Sequence, residues 1–330
     1  MALNLPDQED RNVSEPPKLP AKIDIATVVY EPEIALLKLQ ARSIQKFFRH
    51  RDIGKIYIIV NEMAPEATYS ALKRFVVDEY GELLSQVEVI PASHLMRPHV
   101  GESGWRTQQS LKLLVSIYME NDHYLLLDAK NHFVRPVSIR NFFDPATGLM
   151  RSSRVGNHGA LDHYLQNSLN YFGIEPRDFS LPMTTPYMMS TNIAQSLVQY
   201  VEQREGVKFD DFMHGSEHNV TDLFLYYAYI EFLLGGAEKF YRFGPRNSKL
   251  MFAHFASTPS QVDRVLGALE DSKILSFGLH RNCVAALTET DRARIIAFWV
   301  KQALFATEAD ARGFFAFLLE TTQGRAISAL

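Results

Sequence analysis

The run LLLDAKNHFVRP, residues 125–136, concentrates groups that can do chemistry. Three leucines predict the end of a buried strand, and Asp128 emerges directly after them. A carboxylate in that position suits a divalent cation or a sugar hydroxyl. A cation would offset the charge of a nucleotide diphosphate and of the departing phosphate. Lys130 offers a second route, as a flexible point charge that meets phosphate directly. Either route stabilises a developing anion. Asn131 and His132 add hydrogen-bonding groups, and Lys130 and His132 share one face if strand geometry resumes. Phe133 reads as core.

Two further segments carry polar groups at useful spacings. In GWRTQQSLKLL, 104–114, Trp105, Gln109 and Lys112 lie on one helix face, and Gln108 sits one turn before Lys112. A tryptophan with adjacent glutamines suits a sugar or a diphosphate. In HGSEHNVTDLFLYYAYIE, 214–231, Ser216 is placed to cap a helix that begins at Glu217. Glu217 and His218 would then stand in its first turn, where backbone amides favour a carboxylate.

The elements that must position these groups follow from periodicity. DIATVVY (24–30), KIYIIVNE (55–62) and QVEVIPA (86–92) read as strands, and HYLLLDAKNHF (123–133) as a strand that ends in a carboxylate. Helical patterns separate them over 33–49, 65–79 and 105–120. Little alternation within the strands suits a parallel sheet covered on both faces. Ligands of such sheets bind beyond the carboxyl ends of strands, where Tyr30, Asn61 and Asp128 fall. GLMRSSR (148–154) predicts an edge strand, and SLPMTTPYMMST (180–191) a loop and strand that return toward the site. Helices are expected over 158–172, 190–204, 217–234, 259–270, 288–305 and 309–321, with short extended pieces at FAHFAS and ILSFGLH.

The ordered combination of DIATVVYEPEIALLKLQARSIQKFF, KIYIIVNE, GWRTQQSLKLL and YLLLDAKNHF resembles the GT-A glycosyltransferases. More narrowly it resembles an uncharacterised bacterial family of such proteins associated with polysaccharide gene clusters. The resemblance covers most of residues 22–285. It implies an α/β, GT-A-like fold with a mostly parallel central sheet flanked by helices and a helical C-terminal portion. Residues 1–21 would form a flexible arm, 22–285 the catalytic domain and 286–330 a helical extension packed on it. Thr27, Val29 and Tyr30 would line the base and ribose, with Asn61 nearby. The family's Asp-any-Asp run, which holds manganese or magnesium, would correspond to Asp128-Ala129-Lys130, with lysine in place of the second carboxylate. Metal ligation by Asp128 together with His280, and metal-independent chemistry, are both compatible with the resemblance.

The same resemblance implies Glu217 as the base that deprotonates an acceptor hydroxyl, with Asp222 in reserve. Tyr187, Ser190 and Thr191 of TPYMMST would shape the acceptor side. A late histidine would serve the metal or the diphosphate; His280 is preferred to His254 because Arg281 beside it suits phosphate. The expected activity is transfer of a sugar from a nucleotide-activated donor, by default a UDP-sugar, to a glycan or glycoconjugate hydroxyl in surface polysaccharide synthesis. Inversion and retention of the anomeric centre both remain open. The alternative is an inactive nucleotide-sugar binding or assembly protein of the same fold.

Composition narrows the field. Of the 330 residues 46 % are apolar, enough for a large core, and the net charge is −4 without a long basic block, which argues against nucleic acid as a partner. One cysteine, Cys283, permits no internal disulfide and fits a reducing, cytoplasmic setting. No run of about twenty apolar residues predicts a transmembrane segment; peripheral association with a membrane or with polysaccharide assembly proteins stays open. The first strand leads into VVYEPE, not a glycine-rich dinucleotide turn, and no Gly-any-Ser-any-Gly elbow occurs, so oxidoreductases and hydrolases rank lower.

Overall fold

A computed structural model describes residues 19–62, 65–97, 104–215 and 217–322. Strand β1 (Ile23–Val29) is buried at every position, as a central parallel strand must be. It is followed by helix α1 (Ile34–Phe47), β2 (Ile53–Val60), α2 (Glu66–Phe75) and β3 (Val87–Pro91). Helix α3 (Gly104–Leu114) leads to β4 (His123–Asp128), β5 (Asn131–Phe133), α4 (Ile139–Phe142), β6 (Met150–Ser152) and α5 (Asp162–Phe172). Next come β7 (Tyr187–Ser190), α6 (Thr191–Glu205), α7 (Phe209–His214) and α8 (Asp222–Leu234). The chain then forms β8 (Tyr241–Phe243), β9 (Ser248–Met251), α9 (Pro259–Ala268), β10 (Ser276–Leu279), α10 (Arg281–Val284), α11 (Glu289–Lys301) and α12 (Glu308–Thr322).

The main sheet has the order β3-β2-β1-β4-β7. Its first four strands are parallel, and β7 runs antiparallel beside β4. A smaller sheet, β5-β10-β9, and a parallel pair, β6-β8, stand apart from it. The architecture is therefore mixed α/β, with a largely parallel central sheet, flanking helices and a helical C-terminal region, as the sequence predicts. Helices α11 and α12 close the chain's core: Trp299 is fully buried and its indole N–H donates to His132 Nε2 at 3.0 Å. None of the described helices is long and apolar enough to cross a membrane. Residues 1–18, most of the expected N-terminal arm, lie outside the described residues.

Three expectations change. The 123–133 strand divides into β4 and β5, which join different sheets through a turn at Ala129 and Lys130. Lys130 and His132 consequently do not share a face: His132 is buried beneath Trp299, whereas Lys130 meets Asp128. FAHFAS is largely a 3-10 turn (Ala253–Ser257), with no strand. The helix expected from Glu217 begins instead at Asp222, with Glu217 and His218 in a preceding turn. Ser216, the expected cap, lies outside the described residues. Residues 222–230 are buried around the whole circumference, so α8 is a core helix rather than an amphipathic one.

At the amino ends of the strands, a single carboxylate ties the sheet together. Asp24 is fully buried. It accepts hydrogen bonds from Lys55 N, Glu120 N, Asn121 N and Asn121 Nδ2, at 2.7–2.9 Å. These donors lie at the start of β2 and on the approach to β4, so the charge fixes three neighbouring strands. Gly54 is required beside it, because a Cβ there would fall 2.4 Å from Asp24 Oδ1. Asp24→Ala should strand several buried N–H groups and cost about 3 kcal/mol or more. An unfolding free energy from urea denaturation that fell by less than about 1 kcal/mol would contradict the role.

Candidate active site

A cavity of about 580 Å³ opens beyond the carboxyl ends of β1 and β4. Its charged floor is built from several elements. Lys112 of α3 places Nζ 2.9 Å from Asp128 Oδ1, and Lys130 holds Asp128 Oδ2. Lys112 Nζ also lies 3.7 Å from Asp222 Oδ2, in the first turn of α8. Glu33, at the entry to α1, completes the group along with His280 and Arg281 at the start of α10. The Arg281 guanidinium lies 5.3 Å from the Tyr30 ring centroid, which forms a cation–aromatic wall.

A polar scaffold beneath the floor sets the Asp128 turn. Asn131 Oδ1 accepts from Asp128 N at 2.9 Å and from Thr185 Oγ1 at 2.6 Å. Gln40 Nε2 donates to the carbonyls of Asp128 and Asn131 at 2.8 and 3.1 Å, and Thr27 Oγ1 donates to Gln40 Oε1 at 2.8 Å. Thr27, Gln40, Asn131 and Thr185 are all buried. They hold the backbone that carries Asp128 and Lys130.

Burial and charge act on these groups in opposite directions. Burial would raise Asp128, but Lys112 and then Lys130 outweigh it and hold the carboxyl well below the usual carboxylate range. Burial would lower Lys112, yet Asp128 and Asp222 keep it above its ordinary value. Asp222 is pushed up to about 6 by burial, against the pull of Lys112. Glu33 is pushed up to about 7 by burial, with Lys130 opposing and Asp128 adding to the rise. His280 is lowered to about 4 by burial, then by Lys130 and Arg281, and is therefore neutral at pH 7. One firmly ionised carboxylate and two carboxyls poised near neutrality thus share a cavity, a pattern associated with acid–base sites.

The cavity brings together ten residues singled out by sequence: Tyr30, Trp105, Gln108, Gln109, Lys112, Asp128, Lys130, Asp222, His280 and Arg281. Thr27 and Asn131 act beneath it rather than in it. Val29 is core, and its neighbour Val28 lines the cavity, because side chains alternate along a strand. Asn61 sits at the end of β2 and donates to Gly104 O at 3.0 Å, just behind the wall. Glu217 is exposed and outside the lining, since its turn precedes the helix whose first residue, Asp222, does face the cavity.

Two of the three expected acceptor-side residues, Ser190 and Thr191, lie away from the first cavity for a topological reason. Because β7 runs antiparallel, Ser190 pairs with His123 at the amino end of β4, opposite Asp128. Thr191 Oγ1 donates to Asn121 O at 2.7 Å at that far end. Tyr187 is buried beside Leu126 and faces a different cavity. The residues of this segment that line the first cavity are Met183, Thr184 and Thr185, ahead of the strand. Glu33 reads in sequence only as the acid that opens a helix; its signal is its place shortly after the first strand.

A divalent cation fits this donor set poorly. Both Asp128 oxygens already face ammonium groups, which would repel a cation and would have to leave before it bound. His280 Nδ1 accepts from Asn282 N at 3.2 Å, which leaves one ring nitrogen available. Among the described residues no group of three His, Cys, Asp or Glu side chains is arranged to hold a metal.

The fold and cavity define an α/β protein with a cavity at the strand ends and a lysine-paired carboxylate in its floor. The chain belongs to DUF6492, a family of unknown function, which it matches over residues 19–253. That span includes Asp128, Lys130 and Asp222 and stops before His280. Among solved structures, the apo form of mouse xyloside xylosyltransferase 1 is similar at 12 % identity, with a TM-score of 0.42 over 78 % of this chain and 97 % of that one. A search of curated proteins finds no match.

Removing one partner from a buried ion cluster strands the others. Lys112→Met should destabilise the fold by about 3–5 kcal/mol, and the double variant Lys112→Met/Asp128→Asn should recover part of that loss. Thermal or urea unfolding of both variants reads this out, and a double variant no more stable than the single one would count against the cluster.

Proposed function

We propose that this protein transfers a sugar from a nucleotide-activated donor to a hydroxyl of a glycan or glycoconjugate. The GT-A-like resemblance of its sequence supports the class of reaction, and surface polysaccharide synthesis is the setting that resemblance implies. The observation that carries the reading is the Lys112–Asp128–Lys130 cluster at the carboxyl ends of β1 and β4. Lys130 and Arg281 meet the diphosphate, and Tyr30, Trp105 and Gln108 flank the rest of the donor. A UDP-sugar is the default donor.

Asp222 takes the role of base, in place of the more remote Glu217. The acceptor oxygen bonds to the anomeric carbon as the bond to the donor phosphate breaks. The electron pair leaves on the diphosphate, where Lys130 and Arg281 stabilise it. The acceptor proton passes to Asp222, whose raised value suits a base working near neutral pH. Both lysines already neutralise Asp128, so the proposed chemistry uses protein cations and needs no manganese or magnesium.

Calorimetry should detect UDP or a UDP-sugar binding equally with and without manganese, and Lys130→Ala should weaken it about tenfold or more. Failure of every nucleotide tried, or binding that requires the metal, would overturn the reading. Saturable binding without transfer or hydrolysis would favour a nucleotide-sugar binding protein instead.

The pH profile tests the base. As pH falls through about 6, protonation of Asp222 should lower kcat/KM. Asp222→Asn should remove that limb and reduce the rate by about 10²–10⁴-fold, whereas a Glu33→Gln variant should retain the limb. An unchanged acid limb in Asp222→Asn would exclude Asp222 as the base.

A further inference from the structure

A second cavity, of about 360 Å³, adjoins the first. Thr184 lines both, and the Arg246 guanidinium donates to its hydroxyl. Five cationic residues, Arg140, Arg151, Arg242, Arg246 and Lys273, line this space, and among the described residues no aspartate or glutamate does. In a chain with a net charge of −4, such a concentration of one sign is local and specific.

The pairing pattern sharpens the point. Elsewhere, several surface arginines have carboxylate partners, such as Arg42 with Glu79, Arg294 with Asp263 and Arg312 with Glu308. Within this cavity only Arg151 has one, Asp144 at 3.3 Å; Arg140, Arg242, Arg246 and Lys273 form no ion pair among the described residues. Moreover, Arg151 and Arg242 are register partners across the parallel β6–β8 pair. Like charges set opposite one another on paired strands disfavour the pairing. An anionic ligand that inserts between them would relieve this repulsion, and guanidinium groups match carboxylate and phosphate oxyanions. Pro182, Pro186 and Tyr187 give the same cavity apolar surface suited to the C–H faces of sugar rings.

We propose that this cavity is the acceptor subsite and that the acceptor is an acidic oligosaccharide, bearing carboxylate or phosphate groups. The proposal rests on the transferase reading of the neighbouring cavity. Thr184 marks the junction, so an acceptor seated here projects a hydroxyl toward Asp222 and the donor.

The test measures binding of three probes by calorimetry: tetragalacturonate, a phosphorylated oligosaccharide and an uncharged oligosaccharide of the same length. Each is titrated into the wild-type protein and into an Arg140→Glu/Arg242→Glu variant, whose two changes are exposed and lie outside the donor cavity. At least one acidic probe should bind the wild type, about tenfold or more tightly than the uncharged one, and lose that advantage in the variant. Which acidic probe binds distinguishes carboxylate from phosphate. UDP binding should be the same in both proteins. Equal affinity for charged and uncharged probes, no binding of either acidic probe, or an unchanged affinity in the variant would overturn the proposal. Arginine-dependent binding of an acidic probe by a protein that binds no nucleotide would refute the acceptor role through failure of the transferase reading, not of the anion site.

Discussion

A carboxylate stays ionised in a protein interior only if its charge is met. Asp128 satisfies this condition with two ammonium groups, Lys112 from α3 and Lys130 from its own turn. The consequences extend through the structure. The cluster joins α3 to the end of β4, and through Asp222 it joins both to α8. The turn that presents Asp128 is held by Asn131, Gln40, Thr27 and Thr185, which belong to different elements. The sheet is anchored at its other end by Asp24, where backbone and amide N–H groups meet the charge instead of lysines. Two carboxylates at opposite ends of the strands, Asp24 fully buried and Asp128 half-buried, thus serve different purposes. One is closed off by the backbone, and the other borders a cavity.

That difference has a chemical meaning. A charge satisfied by N–H groups of the fold itself has no capacity left for a ligand. A cluster of two lysines, one ionised carboxylate and two carboxyls shifted toward neutrality can redistribute its charge when an anion arrives. Arg281 stacked near Tyr30 adds positive potential at the rim. The basic cavity beyond Thr184 extends that potential along the path an acidic acceptor would follow.

Much of the sheet was legible in the sequence because its strands are unbroken apolar runs. DIATVV and IYIIV lie within β1 and β2, and residues at their ends border or support the site. Asp128, Lys130 and Lys112 were also legible, since each stands where an apolar pattern meets a charge. What periodicity could not show was direction. The strand holding Tyr187 runs antiparallel to β4, which carries Ser190 and Thr191 to the end opposite Asp128 and leaves Thr184 and Thr185 at the cavity. Nor could it show that YLLLDAKNHF changes sheets at Lys130. Glu217 had the right local chemistry for a helix start, but α8 is buried on every side, so its boundary follows tertiary packing instead of a capping pattern. The basic cavity escaped notice because its arginines come from separate segments and form no block in sequence.

The central claim is that lysines, not a metal, neutralise Asp128 and receive the diphosphate. Its most direct test is a crystal structure of the protein with UDP, grown in manganese and read by anomalous scattering. The account predicts diphosphate oxygens within hydrogen-bonding distance of Lys130 Nζ, Asp128 still paired with Lys112, and no manganese signal at Asp128. A manganese ion bridging Asp128 and the diphosphate, with Lys130 turned away, would contradict it.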